Sequence, residues 1–136
     1  MEVEDLSKID CSIVKKFSLD GMTFNARVIG VYDGDTITVI FNFKGELSRW
    51  SCRLAGIDTP ELKTKNEKEK IAAIKARDFL RECVLDKVVK IECGEFDKYG
   101  RLLVTVFYEG VNVNLDLISK GYAIAYNGGT KEVFEQ

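Results

Sequence analysis

Ile37, Val39, Phe41 and Phe43 occupy every second position of a run bounded by Asp33-Gly34 on one side and Lys44-Gly45-Glu46 on the other. Such alternation puts four large apolar side chains on one face of a strand, and that face has to be buried. The glycine-containing pairs at either end are turn chemistry, so the run predicts a strand with a neighbour on each side. The neighbour before it is Phe24 to Tyr32, carrying Ala26, Val28, Gly30 and Val31; the one after it is Leu47 to Ala55. Three strands with short connections make an antiparallel meander.

Beyond the meander, Leu62 to Lys70 is polar and basic, and Asn66 followed three residues later by Glu69 resembles a capping box. Ala72, Ala76, Phe79, Leu80, Cys83 and Val84 then fall on one helical stripe, predicting a helix over about 67–84 with Lys75, Asp78 and Glu82 on its solvated face. Val88 to Cys93 and Leu102 to Tyr108 read as two further strands. Val113, Leu115, Leu117 and Ile118 read as a short helix capped by Gly121, and Tyr122 to Tyr126 as a last ordered apolar run. Gly128-Gly129 and the polar tail are expected to be loose. The fold class is α+β and mainly β: a five-stranded OB-fold barrel with two to three helices, whose closure removes sheet edges. Residues 1–22 are expected to form an N-terminal extension packed on the core, and residues 23–136 the domain itself.

With 136 residues, 46% hydrophobic and 31% charged, the chain suits one domain with one core. A net charge of -2 gives no global attraction to nucleic acid, so phosphate affinity must come from local Lys and Arg clusters. Cys11, Cys52, Cys83 and Cys93 lack Cys-x-x-Cys spacing and there is no histidine, which argues against zinc and excludes histidine-based catalysis. Met1 to Asp5 is acidic and no apolar run approaches the roughly 20 residues that span a bilayer. Without a legible signal peptide or transmembrane segment, the expectation is an intracellular, cytoplasmic protein with reduced thiols and no membrane partner.

Three polar segments remain: Asp33-Gly34-Asp35-Thr36, Arg53 with Asp58 to Glu61, and Asp97 to Arg101. In an extended run Arg53 projects opposite to Cys52 and Leu54, so its guanidinium leaves the core. Pro60 turns Asp58 to Glu61 into a bent, pre-organised segment. Asp35, Asp58, Glu61 and the Thr59 carbonyl are hard oxygen donors of the kind that hold Ca²⁺ or Mg²⁺. The arginines beside them offer planar forks for phosphate oxygens. Taken singly, each segment also reads as a turn or strand end; taken together they point to phosphodiester chemistry.

VYDGDTITV, CRLAGIDTPE and FDKYGRLL, followed by VNVNLDLISKGYA, occur in the order of the staphylococcal nuclease-like (thermonuclease) family, which the chain resembles over about residues 24–126. The resemblance implies one Ca²⁺ held by Asp35, Asp58 and the Thr59 carbonyl, with Mg²⁺ or Mn²⁺ as alternatives. It implies Arg53, Glu61 and Arg101 as catalytic residues, Lys98 and Tyr99 as nucleotide-phosphate contacts, and Tyr126 as a base- or sugar-packing residue. The implied activity is metal-assisted endonuclease hydrolysis of DNA or RNA that leaves 3′-phosphates, with Glu61 positioning the water or taking its proton. The implied partner is the nucleic-acid substrate, with a monomer and no obligate protein partner expected. Secreted members are basic and carry a longer C-terminal helix, whereas this chain is acidic and ends about ten residues after Tyr126. The competing reading is a catalytically weak OB-fold module that binds single-stranded nucleic acid. A purely structural domain would leave the polar segments unexplained.

Overall fold

The computed structural model describes residues 5–126, so the tail expected to be loose lies outside the described residues. Two single-turn 3-10 helices, Leu6–Lys8 and Cys11–Ile13, lead into strands β1 (Thr23–Asp33), β2 (Thr36–Phe43) and β3 (Glu46–Leu54). These are the expected meander, antiparallel throughout, with Val28 opposite Val39 and Thr36 opposite Arg53. The alternation read from β2 is realised: Ile37, Val39 and Phe41 are buried and Asn42 is exposed. Each such buried side chain contributes about 1.5–3 kcal/mol over its exposed state.

After β3 come the two-residue β4 (Ile57–Asp58), helix α1 (Glu67–Val84), β5 (Val88–Phe96), β6 (Leu102–Tyr108), β7 (Val111–Asn112), helix α2 (Val113–Ser119) and β8 (Ile124–Ala125). The sheet runs β3-β2-β1-β5-β6-β7, and β3 pairs a second time, with β6. That closing seam is parallel, matching Cys52 to Leu102, Arg53 to Leu103 and Leu54 to Val104. Five strands therefore close into the expected barrel, with two α-helices and with β7 as a short antiparallel arm turned back onto β6.

α1 begins at the expected N-cap, Asn66, whose side chain accepts from the Glu69 N–H. Its buried stripe is Ala73, Ala76, Leu80 and Val84. Ala73, not Ala72, makes the first contact, and Phe79 and Cys83 flank the stripe half-buried. In α2, Leu115 faces solvent at 61% exposure while Val113 and Leu117 are buried. The N-terminal segment meets the barrel through Leu19, which is fully buried, and through Phe17, whose ring packs on Phe43 and Phe96. The short apolar piece Cys11 to Val14 is exposed. All four cysteines are free thiols, and burial pushes the Cys52 thiol up to about 12 and the Cys93 thiol up to about 11. Among the described residues no helix is long and apolar enough to cross a membrane.

Candidate active site

The turn between β1 and β2 is built around Asp33, whose Oδ1 accepts from the Asp35 N–H at 3.1 Å. Gly34 lets this turn press against the helix: a Cβ there would lie 2.8 Å from both the Ala76 Cβ and the Thr59 Cγ2. Asp35 is thereby carried inward to 7% exposure. Its Oδ2 accepts from the Thr59 N–H at 3.3 Å, its Oδ1 from the Thr36 hydroxyl at 3.1 Å, and its carbonyl from the Leu54 N–H at 2.8 Å. One residue, through its carboxylate and its carbonyl, thus joins the turn to the end of β3 and to the bend at Pro60.

Arg53 leaves β3 between Cys52 and Leu54, both fully buried, as strand alternation requires. Its Nη2 lies 3.5 Å from Asp35 Oδ2 and 3.3 Å from Asp58 Oδ1, and all three side chains are at least 86% covered. Asp58 is held not by a bend alone but by β4, whose pairing with β8 sets Asp58 opposite Ile124. Tyr126, the first residue after β8, donates its N–H to the Gly56 carbonyl at 2.9 Å and turns its ring to the Arg53 guanidinium, 5.7 Å away.

Arg101 and its neighbours come from the other side of the seam. Asp97 Oδ1 accepts from the N–H groups of Tyr99 and Arg101, both at 2.9 Å, while Oδ2 accepts from Arg101 Nε at 2.8 Å. Burial alone would raise the Asp97 carboxyl, but these N–H donors and the guanidinium outweigh it and hold it below the ordinary aspartate range. Tyr99 stands 72% exposed, with Lys98 and Arg101 within 5.4 Å of its ring centre. Asn114, buried at the start of α2, fastens the seam: it donates to the Ala55 and Val104 carbonyls and accepts from the Val106 N–H.

All nine residues singled out from the sequence, Asp35, Arg53, Asp58, Thr59, Glu61, Lys98, Tyr99, Arg101 and Tyr126, line one open cleft of about 860 Å³. Asp33 and Asp97 line it too, where the sequence offered only turn roles. Burial, together with the neighbouring Asp35 carboxylate, pushes the Asp33 carboxyl up to about 7. Asp97 and Asn114 were not assigned to the site or its support; the spacing of Asp97 four residues before Arg101 was the available signal.

For a divalent ion the fit rests on Asp35 and Asp58, two buried carboxylates drawn to one guanidinium nitrogen. Among the described residues no group of three or more His, Cys, Asp or Glu side chains is placed to hold an ion. A bound ion would take two carboxylates and the Thr59 carbonyl from the protein and fill its remaining positions with water or substrate oxygens. That all-oxygen set suits Ca²⁺, Mg²⁺ or Mn²⁺.

A family model described as "Staphylococcal nuclease homologue" matches residues 51–136. The chain belongs to the staphylococcal nuclease family. The matched stretch includes Arg53, Asp58 to Glu61 and Lys98 to Arg101 and begins after Asp35. The chain is 36% identical over 100 residues to an uncharacterized endonuclease of Haemophilus influenzae, covering 74% of this chain and 51% of that protein. It is 31% identical over 144 residues to Endonuclease Htp3 of Saprolegnia parasitica, covering 90% of this chain and 68% of that one. With Endonuclease YncB of Bacillus subtilis it shares 36% identity over 106 residues, 75% of this chain and 48% of the relative. The chain thus spans about half the length of the first and last of these relatives. The resemblance read from the ordered motifs, and the barrel it implied, both hold for this staphylococcal nuclease family member.

Proposed function

We propose that this protein is a metal-dependent endonuclease that hydrolyses phosphodiester bonds of DNA or RNA and leaves 3′-phosphates. One observation carries the reading: the Arg53 guanidinium bridges the buried carboxylates of Asp35 and Asp58 in the cleft that also holds Glu61 and Arg101. The endonuclease names of the relatives support the activity class.

Asp35, Asp58 and the Thr59 carbonyl would hold Ca²⁺, with Mg²⁺ and Mn²⁺ the other candidates. Such an ion neutralises charge on a phosphate oxygen and orders the attacking water. The chain's own residues supply the rest. Arg53 and Arg101 present guanidinium forks to the non-bridging oxygens and stabilise the charge that builds there. Asp97 occupies Arg101 Nε and so sets the direction of that fork. Glu61 orients the water or takes its proton. Lys98 attracts a neighbouring phosphate, and Tyr99 and Tyr126 offer ring faces to a base or sugar.

The test is cleavage of single-stranded DNA, duplex DNA and RNA with chelator, Ca²⁺, Mg²⁺ or Mn²⁺, running Glu61→Gln beside the parent. Metal-requiring cleavage that falls at least roughly 100-fold in Glu61→Gln is expected. Nucleic-acid binding with no cleavage under any metal would overturn the reading in favour of a single-stranded nucleic-acid-binding module.

A further inference from the structure

Asn66 and Glu69 have the spacing of a reciprocal capping box, yet only half of the box forms. Asn66 Oδ1 accepts from the Glu69 N–H at 3.0 Å, as an N-cap should. The Glu69 carboxylate does not return the contact. Its Oε1 accepts instead from the backbone N–H of Glu61 at 3.3 Å, and the Asn66 N–H goes to the Thr64 hydroxyl at 3.2 Å.

This diverted contact has a particular target. Residues 61–66 form neither helix nor strand, and Glu61 is exposed at the lip of the cleft. Upstream, the backbone is fixed at Thr59 by Asp35; downstream, regular structure resumes only at α1. α1 itself is anchored through Ala73, Ala76, Leu80 and Val84. Glu69, in the first turn of that helix, therefore joins the irregular segment that begins at Glu61 to a helix packed on the barrel.

We propose that Glu69 is a positioning residue: its carboxylate clamps the Glu61 backbone to α1 and fixes where the Glu61 side chain enters the cleft. The inference rests on the reading of Glu61 as the group that handles the attacking water. A group that must meet a water within about half an ångström needs such a second support. A carboxylate accepting from an N–H is the stronger class of hydrogen bond. At 3.3 Å it lies just beyond the usual range, so the expected effect is moderate. A purely structural role also exists for Glu69, because an acidic residue in the first turn favours the helix dipole. Asn66→Ala isolates that role, since it weakens the same helix start and leaves the Glu61 contact in place.

The experiment uses the full chain and compares the parent with Glu69→Ala, Glu69→Gln, Asn66→Ala and Glu61→Gln. It measures kcat and KM for DNA cleavage, thermal midpoint, and hydrogen exchange of the Glu61 amide without metal. Glu69→Ala should lower kcat on the order of 10-fold at unchanged KM and speed exchange at Glu61. Glu69→Gln, which keeps an acceptor, should restore both. Asn66→Ala should lower only the thermal midpoint. Parental kcat or unchanged Glu61 exchange in Glu69→Ala would overturn the clamp. An equal kcat loss in Asn66→Ala, or failure of Glu69→Gln to restore, would also overturn it. Full activity in Glu61→Gln would overturn the reading of the site itself, and the clamp with it.

Discussion

Gly34 lies against Ala76 so closely that a Cβ on the glycine would fall 2.8 Å from the alanine's own. The candidate metal carboxylate Asp35 therefore owes its depth to a turn seated directly on α1. Overfilling such a contact costs about 1–3 kcal/mol. Gly34→Ala is expected to lose that much stability in denaturant unfolding. Gly34→Ala/Thr59→Ser should recover part of the loss, because it removes the Thr59 Cγ2 that the new methyl would strike. Simple additivity of the two substitutions would show that the crowding is relieved elsewhere.

Arg53 faces two buried carboxylates, so its removal leaves both without their guanidinium. Breaking a buried ion pair from one side costs about 3–5 kcal/mol. Arg53→Ala is expected to lose stability on that scale as well as cleavage. Added Ca²⁺ should raise its thermal midpoint more than it raises the parent's, since an ion held as proposed would restore positive charge beside Asp35 and Asp58. An equal shift in the two proteins would refute this account of the pair.

Asp97 gives a pH signature. Its carboxyl titrates below its unfolded value, so the unfolded state binds the proton more readily and the contribution to stability is complete above about pH 4. It fades as pH falls through the lower folded value. Asp97→Asn, which loses the charge facing Arg101, should be less stable than the parent by a constant amount from pH 7 to 5. Below pH 4 the gap should narrow, as thermal unfolding across that range would reveal.

Asn114 satisfies the buried Val106 N–H and the Ala55 carbonyl, and shares the Val104 carbonyl with the Ala55 N–H. Each buried polar group left unpaired costs about 1–3 kcal/mol. Asn114→Leu should therefore destabilise the chain by roughly 3 kcal/mol or more. Because the two carbonyls belong to Ala55 and Val104, exchange of amides along the β3–β6 seam should rise more than exchange elsewhere. A uniform rise would refute a local role.

The parts of this molecule that were legible in its sequence are those whose signal is local. The period of two in Ile37 to Phe43 gave the meander, and Asn66 with the stripe ending at Val84 gave both ends of α1. Eight of the nine candidate residues lie in three motifs that occur in order, with Tyr126 beyond them, and the barrel brings all nine to one cleft. What escaped was long-range or too short to have a period. β4 and β8 are two residues each and meet across about half of the chain. The parallel seam has no signature in either β3 or β6 alone. Asn66 and Glu69 have the right spacing for a reciprocal cap, but spacing cannot say that the Glu69 carboxylate turns to Glu61.

That seam also bears on when the cleft is assembled. Arg53 is the last residue but one of β3 and Arg101 immediately precedes β6, so the two cations come to one cleft only when the barrel shuts. Non-local parallel pairing is the slow kind to form. A chain with its meander and first helix already in place would still hold its two arginines apart. In the proposed nuclease, a half-made copy is unarmed, and nucleic acid near it is safe until the last strand locks.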